Sequence, residues 1–508
     1  MSKNLQLNLV PYIISTAIAC CLICLAINTT VPWFDEIVLA DKPLNFINRG
    51  ENYGYLCACT YNLLFPTLET IWFYLFGGSH GTSCAFSLFF SLLSSFALLY
   101  ILQRRNIIAT IGAQISLILL YWFGWQMIWI HTSGRPDTMA MFFTILLAES
   151  LAPQQSSPCE KNRLWPFVWS YLLLLTSPSS LPVLFAFGVV ILCISPASQR
   201  KEVFFREIFA ALGMGTSFAT MLIYYAVTHE LVTFIGVYCL LNNATNANGN
   251  PLLAAITSAY RIDLTPLILL SIAGIVALVT KLSSSRRYWV FASLTATVPM
   301  LMAPVRYAPY YAWTFHVPSA VMLAYAIRSA KSKLILPILF IASTIVLFAK
   351  QSKFLYANAE RRALYARCSQ LVEDHQSLFQ PGKDIVVTED IDGLGGGFFY
   401  PVLNRGCRLW MRGPHILSIP DDETRVRKHI EGVISNTNLI NQILAFQKFP
   451  AQLPNEATCF FTSQKSREQI LPLLAQKNYK EISSLSPTND YPCFSHWIRA
   501  QFEDIKVK

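Results

Sequence analysis

Two adjacent carboxylates, Asp35 and Glu36, lie shortly after the first apolar run of the chain. Ionised carboxylates at a membrane boundary are costly unless they are solvated or used. A carboxylate in this position can act as a general base toward an attacking hydroxyl group, or it can help to hold a divalent cation. A structural alternative stays open, because acidic residues also favour the first turn of a helix, here one lying beside the membrane.

A second group of polar side chains lies in the segment from His131 to Asp137. Pro136 suits the first position of a helix, and Asp137 suits its first turn. The planar guanidinium of Arg135 suits a phosphate group, with Asp137 orienting it and His131 in a supporting position. The alternative is that Arg135 only extends its charged end from the apolar region to water.

A third group combines Arg306 with Tyr307 and Tyr310 at the boundary of an apolar run. Tyrosines are common at membrane interfaces, so this group can be an ordinary anchor. Basic residues beside apolar runs are scarce outside the loops that carry most of the Lys and Arg. That scarcity singles out Arg135 and Arg306 as candidate ligands of one anion.

The elements that must position these groups are membrane spans, because the composition excludes a purely soluble protein. Of the 508 residues, 54% are hydrophobic and 13% are charged, and the mean hydropathy is +0.42. A soluble domain carries about 25% charged residues. The formal net charge of +10 does not indicate a nucleic-acid partner, because most Lys and Arg of the first 350 residues lie in short loops between apolar runs.

About eleven segments are apolar enough to be predicted as spans, given that a span needs roughly 20 residues. The first, at 9–27, is interpreted as an uncleaved anchor because no small-x-small cleavage site follows it. The apolar part of the 29–82 segment, at 63–76, is short and contains Glu69, which predicts an interfacial helix. The other spans are predicted at 83–102, 107–124, 136–152, 164–177, 180–195, 207–228, 264–281, 288–304, 313–330 and 333–350.

The charges of the loops predict the orientation. With the N-terminus in the cytoplasm, every basic cluster lies on the cytoplasmic side, as the positive-inside bias requires. These clusters lie at residues 104–105, 161–163, 200–206, 281–287 and 328–333. The opposite side then receives the 29–82 loop, the start of the 136–152 span, Arg306 and residues 351–508. All three polar groups are therefore predicted to share one side of the membrane.

Residues 351–508 regain charged residues and alternate helical with strand patterns, which predicts a small extracytoplasmic α/β domain. Helices are expected at 353–378, 425–447 and 466–476, and strands at 384–388, 407–410 and 458–462. Four cysteines lie in this region: Cys368, Cys407, Cys459 and Cys493. An oxidising compartment permits disulfides among them, and unpaired structural thiols are the alternative.

An α-helical polytopic core over residues 1–350, followed by an external domain over 351–508, resembles the GT-C membrane glycosyltransferases. The resemblance is strongest to the protein O-mannosyltransferases and the bacterial lipid A aminoarabinose transferases. It covers the first 350 residues as architecture. Its motifs are Asp35-Glu36 in the first external loop, Arg135-Pro136-Asp137 opening a later span, and Arg306-Tyr307 near the end of the bundle.

The resemblance implies inverting transfer of a hexosyl or pentosyl group from a polyprenyl-phosphate donor to a lipid, polysaccharide or protein acceptor. The reaction is expected on the extracytoplasmic face of the bacterial plasma (inner) membrane. Asp35 is the implied base, with Glu36 as its neighbour or substitute. Arg135 and Arg306 are the implied ligands of the donor phosphate. No cofactor and no dedicated metal site are expected, although two carboxylates can hold a divalent cation.

Two other functions stay open. The first is a transporter or flippase of a lipid-linked saccharide. Such a protein would place ionisable residues near the middle of the bilayer, in broken helices from paired halves of the chain. The second is a non-catalytic membrane scaffold, for which Asp35, Arg135 and Arg306 need not converge.

Overall fold

A computed structural model describes residues 9–32, 34–52, 62–123, 125–152, 164–177, 192, 195, 197–228, 231–234, 313, 317, 320, 321, 324, 361–390, 396–412, 458–461, 479–485 and 494–499. The predicted spans at 264–281, 288–304 and 333–350 lie outside these residues, as do most of 180–195 and 313–330. The predicted helices at 425–447 and 466–476 also lie outside them. The number of about eleven spans therefore stays a prediction.

Helices form most of the described residues up to 234. They are α1 (Val10–Thr29), α2 (Phe34–Arg49), α3 (Leu64–Phe76), α4 (His80–Arg104), α5 (Ile111–Trp122), α6 (Trp125–Thr132), α7 (Asp137–Leu151), α8 (Leu164–Thr176), Arg200–Val227 and Leu231–Phe234. Among the described residues, three helices are long and apolar enough to cross a membrane: Val10–Asn28, His80–Arg104 and Arg200–Val227. α3, α5 and α8 are apolar but shorter. This pattern is that of an integral helical membrane protein.

The bounds of α1, α3, α7 and α8 lie close to the predicted ones. The span predicted at 207–228 differs, because its helix already begins at Arg200. The sequence predicts a loop for the charged residues at 200–206, yet Arg206 pairs with Glu202 at 3.2 Å and donates to the carbonyl of Ala152 at 3.3 Å. These contacts compensate the charge of Arg206 within the first turns of the helix.

A capping box fixes the start of α4. The side chain of Ser79 accepts a 3.2 Å hydrogen bond from the backbone N–H of Thr82, and the Thr82 hydroxyl accepts one of 2.8 Å from the backbone N–H of Ser79. Such a box satisfies two of the N–H groups that a helix leaves free at its start. His80, Ser83 and Cys84 therefore lie on a well-defined first turn.

α4 is surrounded by α1, α3, α6 and α7. Its buried side includes Ser83, Ser87, Ser91, Ser94 and Ser95. Small residues let membrane helices approach closely, and their hydroxyls bond across the contact. One such bond joins the hydroxyls of Ser15 and Ser95 at 2.7 Å. α4 is thus the helix against which the polar groups of its neighbours are placed.

One mixed sheet contains five strands from the C-terminal region: β1 (Asp384–Asp390), β2 (Arg408–Arg412), β3 (Thr458–Phe461), β4 (Tyr479–Leu485) and β5 (Phe494–Arg499). The strand order is β2-β1-β3-β5-β4. β1 pairs in parallel with β2 and β3, and β5 pairs antiparallel with β3 and β4. β1, β2 and β3 overlap the predicted strands, whereas β4 and β5 were not predicted. Helical residues at 361–374 fall within the helix predicted at 353–378.

α2 packs against the C-terminal region as well as against α3. Ile37 and Leu44 are buried in one hydrophobic cluster with Phe399, which lies on the helix Gly396–Asn404. The side-chain amide of Asn48 also donates to the carbonyl of Leu403 at 3.0 Å. This packing places the Gly396–Asn404 helix beside the start of α2.

Cys368 and Cys407 are buried free thiols. Burial is the main cause that raises the pKa of each thiol to about 12. Both therefore stay protonated, as small buried side chains do in a core. Cys493 and the side chain of Cys459 lie outside the described residues.

The crossing between α8 and the Arg200–Val227 helix predicts different effects for two glycines. A methyl group on Gly213 would lie 2.3 Å from the carbonyl oxygen of Phe167 and from the hydroxyl of Ser170, whereas one on Gly215 would meet nothing within 4 Å. We expect Gly213→Ala to lower the melting temperature in detergent, because the helices must separate. Gly215→Ala should keep or slightly raise it, since alanine exceeds glycine in helix propensity by about 1 kcal/mol. Equal melting temperatures for both variants would contradict the close crossing.

Candidate active site

The Glu36 carboxylate is fully buried near the start of α2. Its Oε1 atom lies 2.8 Å from Nδ1 of His80 and accepts a 2.8 Å hydrogen bond from the hydroxyl of Tyr400. A buried ionised carboxylate is tolerated only when it is paired and hydrogen-bonded. One oxygen atom thus joins α2, α4 and the Gly396–Asn404 helix.

Cys84 lies one helical turn after His80 on α4. Its sulfur is 3.7 Å from each ring nitrogen of His80 and donates to the carbonyl of Thr132 at 2.8 Å. Nε2 of His80 lies 2.7 Å from the hydroxyl of Thr30. One donor atom each from Glu36, His80 and Cys84 lies within 4.8 Å of the other two. These three side chains have the chemistry and the spacing to hold a metal ion.

A second buried carboxylate, Glu69, comes from α3. The hydroxyl of Ser83 donates to its Oε1 at 2.8 Å, and its Oε2 has no hydrogen-bond partner among the described residues. Burial is the largest cause and raises the pKa of Glu69 well above its usual range. The hydrogen bond from Ser83 lowers this pKa by less, and the charge of Glu36 raises it slightly further. Glu69 is therefore biased toward the neutral acid.

Tyr400 supplies a neutral donor to this group. Burial, followed by the charges of Glu36 and Glu69, raises the pKa of the Tyr400 phenol well above its ordinary value. The phenol therefore keeps its proton and donates a hydrogen bond to the Glu36 carboxylate. A neutral donor compensates buried charge without introducing a second buried ion.

Gly134 brings the link between α6 and α7 against the same side chains. Its φ of +61° lies in the left-handed region that favours glycine. A methyl group there would lie 2.4 Å from the hydroxyl of Ser83 and 2.7 Å from Cγ of Glu36. Only a residue without a side chain fits between α2 and α4 at this point.

Arg135 and Asp137 follow directly. Nε of Arg135 donates to Oδ2 of Asp137 at 2.8 Å, and both side chains are buried. The backbone of Arg135 is held by Ser87, whose hydroxyl accepts from its N–H at 3.0 Å and donates to its carbonyl at 3.2 Å. The side chain of Trp313 lies close to the Asp137 carboxylate. Asp137 thus contacts the Arg135 guanidinium directly, and its role in orienting a phosphate ligand stays a prediction.

His131 lies apart from Glu36. Its Nδ1 is 2.8 Å from the hydroxyl of Ser91 and its Nε2 is 3.2 Å from the carbonyl of Tyr121. The imidazole also packs against the ring of Trp122, at 4.6 Å between centroids. These contacts hold the side chain in the core between α4, α5 and α6.

The structure does not describe every predicted site residue. Asp35 lies in the first turn of α2, but its side chain is outside the described part. Arg306, Tyr307 and Tyr310 also lie outside the described residues. The convergence of Arg135 with Arg306 therefore stays a proposal.

Four residues of the polar cluster around Glu36 were not predicted as site residues from the sequence: Glu69, His80, Cys84 and Tyr400. Glu69 had a signal, because a lone acid in an apolar segment is costly and is a functional-site candidate by default. His80 and Cys84 share a helix face at a spacing of four residues, which is a weak signal without a known partner. Tyr400 had none.

Known proteins resemble the chain in structure rather than in sequence. No protein-family model matches the sequence, and no curated protein matches it significantly. ArnT from Cupriavidus metallidurans, in a structure with bound undecaprenyl phosphate, superposes with a TM-score of 0.60 and 9% identity, over 95% of this chain and 97% of that one. The arabinofuranosyltransferase AftD from mycobacteria superposes with a TM-score of 0.51 and 13% identity, over 95% of this chain and 39% of that one. The chain therefore has the fold of the GT-C membrane glycosyltransferases, which confirms the predicted resemblance.

The Glu69 environment predicts a pH dependence of stability. Because the pKa is higher in the folded chain than the usual 4.5, this carboxyl contributes fully below about pH 4.5, and the contribution is lost as the pH rises through the raised value. Glu69→Gln cannot ionise and still offers an oxygen to Ser83. We expect its melting temperature in detergent to fall less than that of the wild type between about pH 5 and pH 9.

A matched control is Glu373→Gln, because Glu373 is exposed on the 361–374 helix. This variant should follow the wild-type pH curve. Parallel curves for the wild type and Glu69→Gln would contradict the raised pKa.

Proposed function

We propose that this chain is a glycosyltransferase that moves a sugar from a polyprenyl-phosphate donor to a lipid, polysaccharide or protein acceptor. The GT-C fold supports the class of reaction, and the ArnT structure with bound undecaprenyl phosphate supports the class of donor. The observation that carries the proposal is the meeting of polar side chains at the start of α4. There Gly134 brings the segment of Arg135 and Asp137 against the carboxylate-bearing start of α2.

Asp35 is the proposed general base. Inverting transfer needs a carboxylate that takes the proton of the acceptor hydroxyl while the oxygen attacks C1 opposite the phosphate. Glu36 is less suited, because it is fully buried and already bonded to His80 and Tyr400. Neighbouring helical positions are about 100° apart, so Asp35 occupies another face of α2. Glu36 then acts by holding the start of α2 in place.

Arg135 is the proposed ligand of the donor phosphate, together with Arg306. The leaving phosphate gains negative charge during transfer, so preorganised cations lower the barrier. The bond from Nε of Arg135 to Asp137 fixes the plane of the guanidinium. A fixed plane suits bidentate contact with phosphate oxygens.

The reaction is proposed on the extracytoplasmic face of the bacterial plasma membrane. Contacts of the C-terminal region with the first loop support one common side for both. The Tyr400–Glu36 bond is one such contact, and the 2.8 Å bond from the Asn404 amide to the carbonyl of Gly78 is another. The positive-inside bias assigns that side to the exterior.

Transport of a lipid-linked saccharide is less well supported. A transporter is expected to place its ionisable groups at broken helices near the middle of the bilayer. The buried groups Glu36, His80 and Asp137 instead lie at or near the first residues of α2, α4 and α7. A helix that spans the bilayer begins at its rim, so this position favours a site at the membrane surface.

Asp35→Asn tests both the reaction and the base. Purified protein is incubated with a panel of polyprenyl-phosphate sugars, and single-turnover transfer is measured with saturating donor. We expect the variant to lose about 10²–10⁴-fold in rate, because the side chain keeps its shape but not its basicity. Donor binding and the melting temperature should stay near those of the wild type.

Asp374→Asn is the matched control, since Asp374 is exposed on the 361–374 helix. Wild-type rates in Asp35→Asn together with a collapse in Glu36→Gln would assign the base to Glu36. Wild-type rates in both variants, or no transfer by the wild type from any donor of the panel, would remove the proposed mechanism.

Arg135→Lys tests the phosphate contact. A lysine retains the charge but cannot form bidentate bonds, so we expect binding of undecaprenyl phosphate to weaken by about 10- to 100-fold. Arg306→Lys should also weaken binding of undecaprenyl phosphate. Arg104→Lys, at the exposed far end of α4, is the control that should leave binding unchanged. Unchanged binding in the variants of Arg135 and Arg306 would contradict the proposed contact of both residues with the donor phosphate.

A further inference from the structure

We propose that Glu36, His80 and Cys84 form a binding site for Zn²⁺. Their donor atoms, one from each side chain, all lie within 4.8 Å of one another. The site goes beyond the proposed transfer reaction and does not depend on it. It combines a carboxylate, an imidazole and a thiol, whereas Mg²⁺ and Ca²⁺ prefer oxygen ligands alone.

The hydrogen bonds around His80 determine which ring nitrogen carries a proton. The Thr30 hydroxyl donates its only proton to the carbonyl of Ala26 at 2.7 Å. Toward Nε2 of His80, also 2.7 Å away, the Thr30 oxygen can therefore only accept. Nε2 thus carries the proton, and in a neutral imidazole Nδ1 presents a lone pair.

That lone pair points at an oxygen that already accepts a hydrogen bond. Nδ1 lies 2.8 Å from Oε1 of Glu36, and Tyr400 donates to the same oxygen. Two acceptors at this distance repel each other unless a positive centre lies between them. That centre is either a proton or a metal ion.

The position of Cys84 favours the metal ion. A proton shared by Glu36 and His80 needs no third ligand, yet the Cys84 sulfur lies 3.7 Å from Nδ1. Ligands at 2.0–2.3 Å around tetrahedral zinc are separated by roughly 3.3–3.8 Å. The sulfur has this spacing from both ring nitrogens, so the Cys84 side chain must turn toward the Nδ1 side of the ring to bind the same ion. The Glu36 oxygen must move away from Nδ1 by about half an ångström.

The surroundings have the features of a second shell around a metal site. A metal-binding histidine usually donates its other N–H to an oxygen, as Nε2 of His80 does to Thr30. The carboxylate ligand is hydrogen-bonded in turn, by Tyr400. The capping box of Ser79 and Thr82 fixes the helix turn that carries the other two ligands. Three protein ligands leave a fourth zinc position for water or another group.

Zinc binding has a defined proton balance. Cys84 binds as the thiolate, so it releases its proton to solvent and gives up its hydrogen bond to the carbonyl of Thr132. Any proton between Nδ1 and Oε1 leaves as well. The ion would then join the start of α2 to the first turn of α4, one residue from Asp35. Its role is to position the start of α2.

The experiment uses the full chain, purified in detergent without a metal-affinity step and dialysed against a chelator. Zinc is added back, excess is removed, and the metal content is measured; Co²⁺ is used in parallel as a spectroscopic probe. We expect about one tightly bound ion per chain and a thiolate-to-cobalt band in the near ultraviolet. Cys84→Ser should lose the band, and His80→Asn should lose the bound zinc.

The control is the double variant Cys21→Ala and Cys24→Ala, because these exposed thiols on α1 have a spacing that can bind metal adventitiously. It should retain the ion and the band. If the wild-type protein shows neither the bound ion nor the cobalt band, the proposal is wrong. It is also wrong if the double variant loses the ion and the band while Cys84→Ser retains them. Zinc binding without sugar transfer would support the zinc site and contradict the proposed function. Sugar transfer without zinc binding would contradict the zinc site and support the proposed function.

Discussion

The buried negative charge of Glu36 constrains the arrangement of every helix start around it. An ionised group without exposed surface is stable only while all of its strong partners keep their places. Those partners come from separate elements, His80 from α4 and Tyr400 from the Gly396–Asn404 helix, and Gly134 closes the space beside them. Removing one partner of such a buried charge typically costs about 3–5 kcal/mol, so this contact excludes many alternative packings.

Local features of the sequence predict local features of the fold. Apolar runs predict α1, α7 and α8 closely because a span depends on the composition of a single segment. Arg135 and Asp137 could be paired in advance, since they are two residues apart at a helix start. His80 and Tyr400 could not be selected, because they are 44 and 364 residues from Glu36. The spacing of His80 and Cys84 is only a weak local signal, and Tyr400 has none. Contacts of that range arise only when the helices pack.

Glu69 on α3 and the strands β4 and β5 show where the local sequence pattern is insufficient to predict the structure. Glu69 interrupts an apolar segment, and this single acid indicates a helix at the membrane surface; that it is instead buried beside Ser83 depends on how α3 packs on α4. β4 and β5 were missed because they mix polar with apolar residues. Antiparallel strands with one covered face lack the continuous apolar run that identifies a buried strand such as β1. In both cases the missing information is how the helices and strands pack against one another.

The sharing of α2 between the membrane helices and the C-terminal region has a consequence for biosynthesis. Residue 36 leaves the ribosome long before residue 400, and at 5–20 residues per second the 364 residues between them take roughly 20–70 s to make. During that interval the C-terminal region does not yet cover the apolar side of α2 that later contacts Phe399. The Glu36 carboxylate also lacks the hydrogen bond from the Tyr400 hydroxyl. The nascent chain must therefore be kept from aggregating or being degraded until its last domain has emerged. A product truncated before residue 400 would keep its membrane helices but could not form the contact between Glu36 and Tyr400.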